Sequence, residues 1–269
     1  IIAQDLGILA RDGHTEATIE LITRAGFLPV GVLCEVLQGN GKVARGENLT
    51  KFAKKFNLKI VTILDLTEYV KSTPSVVKKS SSYLPTQYGT FRIAIYQSML
   101  DNTEHVALMM GDVGKEPIVT RIHSQCLTGD TLFSLKCDCG EQLQKSMQII
   151  QKEGRGILLY LNQEGRGIGL ANKIKAYALQ EKGLDTVSAN EQLGFSKDAR
   201  SYNVAAQILQ DLGVKNINLL TNNPAKEKQL VLYGIHIQKT IPLEIKPNGV
   251  NRRYLKTKKQ KLGHRLSLV

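Results

Sequence analysis

The sequence predicts an α+β chain in two parts: a compact α/β piece over residues 1–70 and a larger α+β unit over 88–269, joined by a polar linker over 71–87. Three observations carry that prediction. Short apolar runs alternate with helical patterns along the chain, a Ser- and Lys-rich stretch interrupts them near residue 75, and three of the four cysteines fall between 126 and 139. With 269 residues, 42% hydrophobic and 22% charged, each part can bury a core. No apolar run approaches the roughly eighteen residues that a membrane span needs, which argues against a membrane partner.

The elements follow in order. Thr15 to Ala25 places Ile19, Leu21 and Ile22 at helical spacing and stops at Gly26. Val30 to Val36 reads as a buried strand ending at the Gly39-Asn40-Gly41 turn, Leu49 to Phe56 as a helix, and Lys59 to Ile63 as another strand. Lys71 to Ser75 and Lys78 to Ser82 form the linker. Gly89–Tyr96 and His105–Met110 are predicted antiparallel strands, and Ile118–Ile122 a third. A helix over Glu141–Lys152 leads to the strand Gly156–Leu161, which enters a Gly-rich turn, Gln163 to Gly169. Helices are expected over Ala171–Lys182, Ala199–Leu212 and Ala225–Tyr233, with strands over Ile217–Thr221 and Ile235–Ile241. The run Arg252 to Lys261 reads as a solvated basic tail.

Chemistry concentrates in Arg121-Ile122-His123-Ser124-Gln125-Cys126, continued by Cys137-Asp138-Cys139. Three thiolates suit Zn²⁺ and leave one tetrahedral position, which is the count of a catalytic rather than a structural site. Buried core thiols, and a structural Cys₃His site closed by His123, are the alternatives these residues leave open. A disulfide fits poorly, because Cys137 and Cys139 are two apart and no secretory segment precedes them. The opening residues point to a cytoplasmic chain, where thiols stay reduced. They also lack an initiating Met and begin in mid-pattern, as a fragment would. The net charge of +12 suits nucleic acid or a polyphosphate; with aromatics at 6% and no Trp, a base-stacking platform is poorly supported and nucleic acid is the weaker choice. Glu164-Gly165-Arg166 could approach a phosphate through backbone N–H groups, and Thr221 to Lys226 is a strand-to-helix turn of the same kind. Asp198 stands where it would cap the helix predicted from Ala199, with Arg200 beside it.

Taken together, residues 88–266 closely resemble GTP cyclohydrolase II, the zinc enzyme that opens riboflavin biosynthesis. The resemblance rests on Arg-Ile-His-Ser-Gln-Cys-Leu-Thr-Gly-Asp with Cys-x₁₀-Cys-x-Cys, Gln-Glu-Gly-Arg-Gly-Ile-Gly, Asn-Lys-Ile-Lys-Ala-Tyr-Ala-Leu-Gln, Asp-Thr-Val-Ser-Ala-Asn, Leu-Gly-Phe with Asp-x-Arg, Leu-Leu-Thr-Asn-Asn-Pro and finally Tyr-Leu-x-Thr-Lys, in that order. It implies a mixed-sheet zinc domain with one Zn²⁺ per subunit on Cys126, Cys137 and Cys139, and a water in the fourth place. It implies GTP, with Mg²⁺, bound by Arg121, Ile122, His123, Ser124, Gln125, Gln142, Glu164, Gly165, Arg166, Thr186, Thr221 and Lys226. Asp198 becomes the acid/base, Arg200 the group attacked at the α-phosphate or a charge stabiliser, and Tyr177 a helper; a homodimer is usual. The family commonly has Glu where this chain has Gln125.

Residues 1–70 resemble the C-terminal part of 3,4-dihydroxy-2-butanone 4-phosphate synthase, through Arg11-Asp-Gly-His14-Thr15-Glu16-Ala17 and Gly31-Val-Leu-Cys34-Glu35. The resemblance implies a truncated synthase site of Arg11, His14, Thr15 and Glu35, inactive alone. A rival of another class is a zinc-stapled nucleotide- or RNA-binding module with impaired catalysis. A base deaminase is disfavoured, since its Pro-Cys-x-x-Cys is absent and the cysteines here are spaced Cys-x₁₀-Cys-x-Cys.

Overall fold

A computed structural model describes residues 1–269 except 5–6, 100, 116, 196–197 and 199, and except the side chains of 71 and 72. The chain folds as two compact units, Ile1–Pro74 and Ser75–Val269.

The first unit is helical, with α1 (His14–Arg24), α2 (Glu47–Phe56) and α3 (Ile63–Ser72). Its core is small: Ile8, Ala17, Leu66 and Val70, with Leu9 and Ile63 against them. Neither strand expected here forms among the described residues. Val30, Val32 and Leu33 are exposed, and an isolated bridge joins Leu37 to Val43. An apolar run becomes a buried strand only where a neighbour takes up its backbone N–H and C=O groups, and this unit supplies none. Lys59 to Ile63 yields to capping instead. The Thr62 hydroxyl accepts from the Asp65 N–H at 3.0 Å, so Ile63 opens α3.

The second unit is built on one mixed sheet: β1 (Val76–Thr86), β2 (Gly89–Ser98), β3 (Glu104–Met110), β4 (Ile118–Ser124), β5 (Gly156–Leu161), β6 (Asn216–Leu220) and β7 (His236–Ile241). The spatial order is β1-β2-β3-β5-β4-β6-β7. Pairing is antiparallel from β1 to β5, and parallel across β5, β4, β6 and β7. This is the α+β architecture expected. Most of the expected linker is strand, however, with Ser81 and Ser82 opposite Ala94 and Ile93. Its Ser and Lys residues reflect an edge strand exposed on both faces rather than a flexible connector.

Among the described residues seven α-helices complete the unit: α4 (Leu127–Asp130), α5 (Cys139–Glu153), α6 (Gly169–Glu181), α7 (Thr186–Gln192), α8 (Asn203–Asp211), α9 (Pro224–Leu232) and α10 (Arg252–Leu262). One sheet face buries Ile122, Leu159 and Leu219 against Ala205 and Leu209 of α8 and Leu230 of α9. The other buries Phe91, Leu108 and Leu158 against Ile150 of α5. Two expectations need correction. The helix expected from Ala199, a residue outside those described, begins at Asn203, and Asp198 does not cap it because Arg200 occupies its carboxylate. The basic run at 252–261 is no solvated tail: it forms α10, which buries Leu255, Thr257 and Lys258. No helix among the described residues is long and apolar enough to cross a membrane.

Tyr96 on β2 is fully buried, and its hydroxyl donates to Asp211 at the end of α8 at 2.7 Å. Tyr96→Phe is expected to cost about 0.5–1.5 kcal/mol, since exposed Asp211 regains water when the bond is lost. Urea unfolding should show a lower midpoint at constant slope.

The sheet also explains where a site can form. β4 lies between β5 and β6, so the chain leaves β4 for one neighbour and later returns to its opposite side. Loops at the carboxyl ends of such parallel strands diverge and leave a crevice.

Candidate active site

The three loops at that crevice are those singled out in the sequence. β4 runs into Gln125 and Cys126, β5 into the turn Glu164–Arg166, and β6 into Thr221 and the start of α9. The Gln125 N–H donates to Leu161 O at 2.8 Å and ties the first two together.

Cys126, Cys137 and Cys139 come together with all three Sγ atoms within 4.8 Å of one another. The Cys126 and Cys137 sulfurs are 3.7 Å apart. A tetrahedral site with Zn–S bonds near 2.3 Å has S···S edges of about 3.8 Å, so the cluster has the spacing that the ion requires. Gly129 in α4 packs against it: a Cβ there would stand 2.6 Å from Cys137 Sγ and 3.3 Å from Cys126 Sγ. His123 does not join. Its Nε2 lies 3.1 Å from both oxygens of Asp130, which also accepts from the Cys126 N–H and the Tyr160 hydroxyl, each at 2.9 Å. The closed Cys₃His alternative is therefore not what these side chains form.

A charged brace stands behind the first thiol. Lys173 Nζ on α6 donates to Cys126 Sγ at 3.2 Å and to Glu164 Oε1 at 2.7 Å. Glu164 Oε2 accepts from the Leu127 N–H at 2.6 Å. Hydrogen bonds from the two neighbouring thiols, aided by Lys173, pull the Cys126 thiol well below its usual range. The same sharing pushes Cys137 up to about 11 and Cys139 well upward. A bound cation favours the thiolate form of all three.

Across the crevice the lining is cationic, with Arg121, Arg166, Arg200, Lys226 and Lys258. Arg121 is buried, donating to Leu220 O at 2.9 Å and to Gln142 Oε1 at 2.6 Å, while its Nε is unpaired. Burial lowers the Arg121 guanidinium to about 10. Arg166 sits at φ 66°, a left-handed conformation, with Nη1 buried and unpaired. Lys226 Nζ donates to the Ile122 carbonyl at 2.6 Å. Burial, then Arg121 and Arg200, press its ammonium well below the usual lysine range. Arg200 forms a bidentate pair with Asp198, the Nε···Oδ1 bond being 2.7 Å. Burial opposes the charge on Arg200, but Tyr202 and Asp198 outweigh it and push its pKa up. Burial pushes the Tyr177 phenol up to about 12, so it stands neutral. A cleft lined by three thiols and by unpaired guanidinium donors is suited to a polyanion beside a soft metal.

Residues 77–242 match the family model for GTP cyclohydrolase II. The chain belongs to that family. As a GTP cyclohydrolase II family member it carries a preceding segment, residues 1–69, that matches the model for 3,4-dihydroxy-2-butanone 4-phosphate synthase. Its relatives carry the name riboflavin biosynthesis protein RibBA. The protein from Chlorobium phaeovibrioides is 52% identical over 267 residues, covering 98% of this chain and 65% of that one. The Bacillus subtilis protein is 50% identical over 269 residues, covering 99% and 68%. The chain thus spans about two thirds of the length of these relatives. A two-domain 3,4-dihydroxy-2-butanone 4-phosphate synthase from A. baumannii, RibBX, aligns at 27% identity and a TM-score of 0.39, over 82% of this chain and 56% of its own. So loose a likeness carries no argument.

Within this GTP cyclohydrolase II family site, most of the expected residues do line one cleft: Arg121, His123, Ser124, Gln125, Gln142, Glu164, Gly165, Arg166, Tyr177, Thr186, Arg200, Thr221 and Lys226. Ile122 does not. It is a core residue and contributes only its carbonyl. Asp198 also stands off the lining and reaches the cleft through Arg200. In the first unit, Arg11 is exposed and pairs with Glu16 at 3.7 Å, and His14 and Glu35 are exposed. Thr15 is half-buried, and no candidate metal cluster among the described residues includes any of the four. Sequence reasoning did not name Lys173 as a site residue, nor Tyr254 and Lys258 of the run read as a tail, nor His264 just beyond it. Lys173 was legible as the one lysine one turn before Tyr177 on the helix that follows the Gly-rich turn.

Lys173→Met keeps the stem and removes the charge beside Cys126. Zinc retention against a competing chelator is expected to fall by about 10–100-fold, as for other outer-sphere partners of metal ligands.

Proposed function

We propose that the chain is a zinc-dependent GTP cyclohydrolase II. It hydrolyses GTP to 2,5-diamino-6-ribosylamino-4(3H)-pyrimidinone 5′-phosphate, formate and pyrophosphate, the first step of riboflavin biosynthesis. The observation that carries the reading is the single cleft that joins the Cys126–Cys137–Cys139 cluster to Arg166, Arg200 and Lys226. Zn²⁺ held by the three thiols would supply Lewis acidity at the imidazole ring of guanine. One ion serves each subunit, Mg²⁺ accompanies the triphosphate, and the working form is a homodimer in a reducing, cytoplasmic compartment.

The remaining work falls to the side chains. Arg166 and Lys226 bind the phosphates and neutralise the charge that grows on departing pyrophosphate. A phosphate oxygen beside Lys226 restores its full protonation, so the burial cost becomes binding specificity for anions. Arg121 stiffens the wall, clamped by Gln142, which is in turn bonded to Asp138. Neutral Tyr177 donates a hydrogen bond near the metal end; its hydroxyl lies 3.5 Å from Thr128 Oγ1. Arg200 acts as a charge stabiliser at the α-phosphate, since a guanidinium paired with Asp198 holds its proton and has no lone pair to offer. Asp198 orients Arg200 and accepts a proton only when that pair opens. The segment of residues 1–69 is inactive by itself as a synthase.

The test is purified chain with GTP, Mg²⁺ and Zn²⁺, following formate and pyrophosphate separately. Release of both supports the reading. GTP binding with neither product would turn the assignment to a nucleotide-binding module.

A further inference from the structure

The C-terminal segment forms one wall of the cleft. Tyr254 and Lys258 of α10, and His264 just beyond it, line the same cavity as the thiols and Arg166. The helix is anchored along its length. Arg253 donates to Gly183 O at 2.6 Å, Lys258 to Asp138 Oδ1 at 2.8 Å, and Lys261 to Asp185 Oδ2 at 2.6 Å. The Lys258–Asp138 pair is buried and reaches the residue between two of the cysteines.

Beyond α10 the chain turns back at Gly263, φ 66°, and is held on both sides of His264. The His264 N–H donates to Lys258 O at 3.1 Å, and the Arg265 N–H to Asn222 O at 2.8 Å. Backbone bonds alone therefore carry the imidazole to the cleft, next to the turn that opens α9. Neither ring nitrogen has a hydrogen-bond partner among the described residues. The four charged groups that act on it most strongly are cations: Lys258 of α10, which is paired with Asp138, Arg200 before α8, which is paired with Asp198, Arg166 of the turn after β5 and Lys226 of α9. A half-buried imidazole without a partner, sharing the cleft with Arg166 and Lys226, which have no ion pair among the described residues, stands where an anion can bridge the three.

We propose that His264 binds the triphosphate chain of the substrate, brought into the cleft by the C-terminal segment. The proposal rests on the GTP reading above and adds a phosphate contact from His264, a residue beyond the last of the motifs that carry that reading. Before the anion arrives, burial and then the surrounding cations hold the His264 pKa near about 2, so it is neutral at working pH. A bound triphosphate reverses the sign of the local field and raises that pKa, and the imidazole takes up a proton as its N–H bonds to phosphate form. Binding should thus draw protons from the buffer, more so as pH falls toward the pKa in the complex.

The experiment is titration calorimetry of the full chain with GTP and with inorganic triphosphate, in two buffers of different ionisation enthalpy. Wild type, His264→Gln, His264→Ala and Lys261→Ala are compared. Both His264 variants are expected to bind GTP and inorganic triphosphate about tenfold or more weakly and to take up fewer protons. Lys261→Ala, which loosens the exposed end of α10, should keep the wild-type proton uptake and so separates contact from packing. Equal affinity and equal proton uptake in wild type and His264→Gln would overturn the proposal. So would a loss confined to GTP with inorganic triphosphate unaffected, which would put His264 at the base. Wild type with no affinity for GTP is a different result, and overturns the GTP reading itself.

Discussion

Cys126→Ser is expected to leave the purified chain with little or no zinc and to lower formate release by a thousandfold or more. A serine hydroxyl is not ionised at neutral pH and is a hard donor, so the substitution removes one of three anionic ligands from a site whose fourth position is left to solvent or substrate. It also removes the sulfur to which Lys173 bonds at 3.2 Å, leaving that ammonium to Glu164 alone. The triphosphate end of the cleft is built from other elements, so GTP affinity should change by no more than about threefold. Elemental analysis of the protein, formate assay and GTP titration read these three quantities independently. A variant that kept its zinc and its formate release would remove Cys126 from the metal site. One that lost GTP binding along with zinc would show that the two ends of the cleft are not separable.

The second large effect concerns Arg200. Its charge is locked by a bidentate carboxylate within a buried setting, and Tyr202 lies beneath it at 5.9 Å. Arg200→Ala is expected to lower kcat/KM by about 10³, the scale on which a single preorganised electrostatic donor acts. Arg200→Lys keeps the charge and loses the fork, so it should recover a part of that loss, about tenfold. Asp198→Asn removes the clamp while leaving Arg200 charged, and should cost less than Arg200→Ala. Intact-protein mass spectrometry on rapidly quenched turnover decides between the two roles of the guanidinium. A guanylyl adduct on Arg200 would sink the charge-stabiliser reading and restore the nucleophile; its absence at full turnover supports stabilisation.

The readable and unreadable parts of this chain divide along physical lines. The thiol cluster was legible because its ligands are near in sequence and their chemistry is unusual. The strands β4, β5 and β6 were legible as short apolar runs. Ile118–Ile122, however, reads as a third antiparallel strand, whereas β4 pairs parallel with both β5 and β6, because pairing direction is set by where the chain returns and not by the run itself. Strand β1 was missed because an edge strand exposed on both faces has a linker's composition. Val30 to Val36 was read as a strand because its side chains suit one, but hydrogen-bonding partners are not written into a segment's own residues. Asp198 looked like a cap until the competing guanidinium two residues on was placed. The basic run at 252–261 was read as solvated because lysines usually are, and only the position of Asp138 shows that Lys258 is buried. Role by role, local chemistry could be read and distant pairing could not.

The place of β4 in the sheet has a consequence for how the protein is made. β4 pairs on one side with β5, but its other side waits for β6, and Leu161 and Asn216 are about 55 residues apart in the chain. At ribosomal speeds of about 5–20 residues per second, the central strand emerges with one bare edge for roughly 3–11 s. By then every cysteine of the cluster, with Gly129 and the residues of α5, has been synthesised. Capture of the metal on the nascent chain would tie the end of β4 to α5 at the stage when its open edge is most exposed to pairing with a stranger.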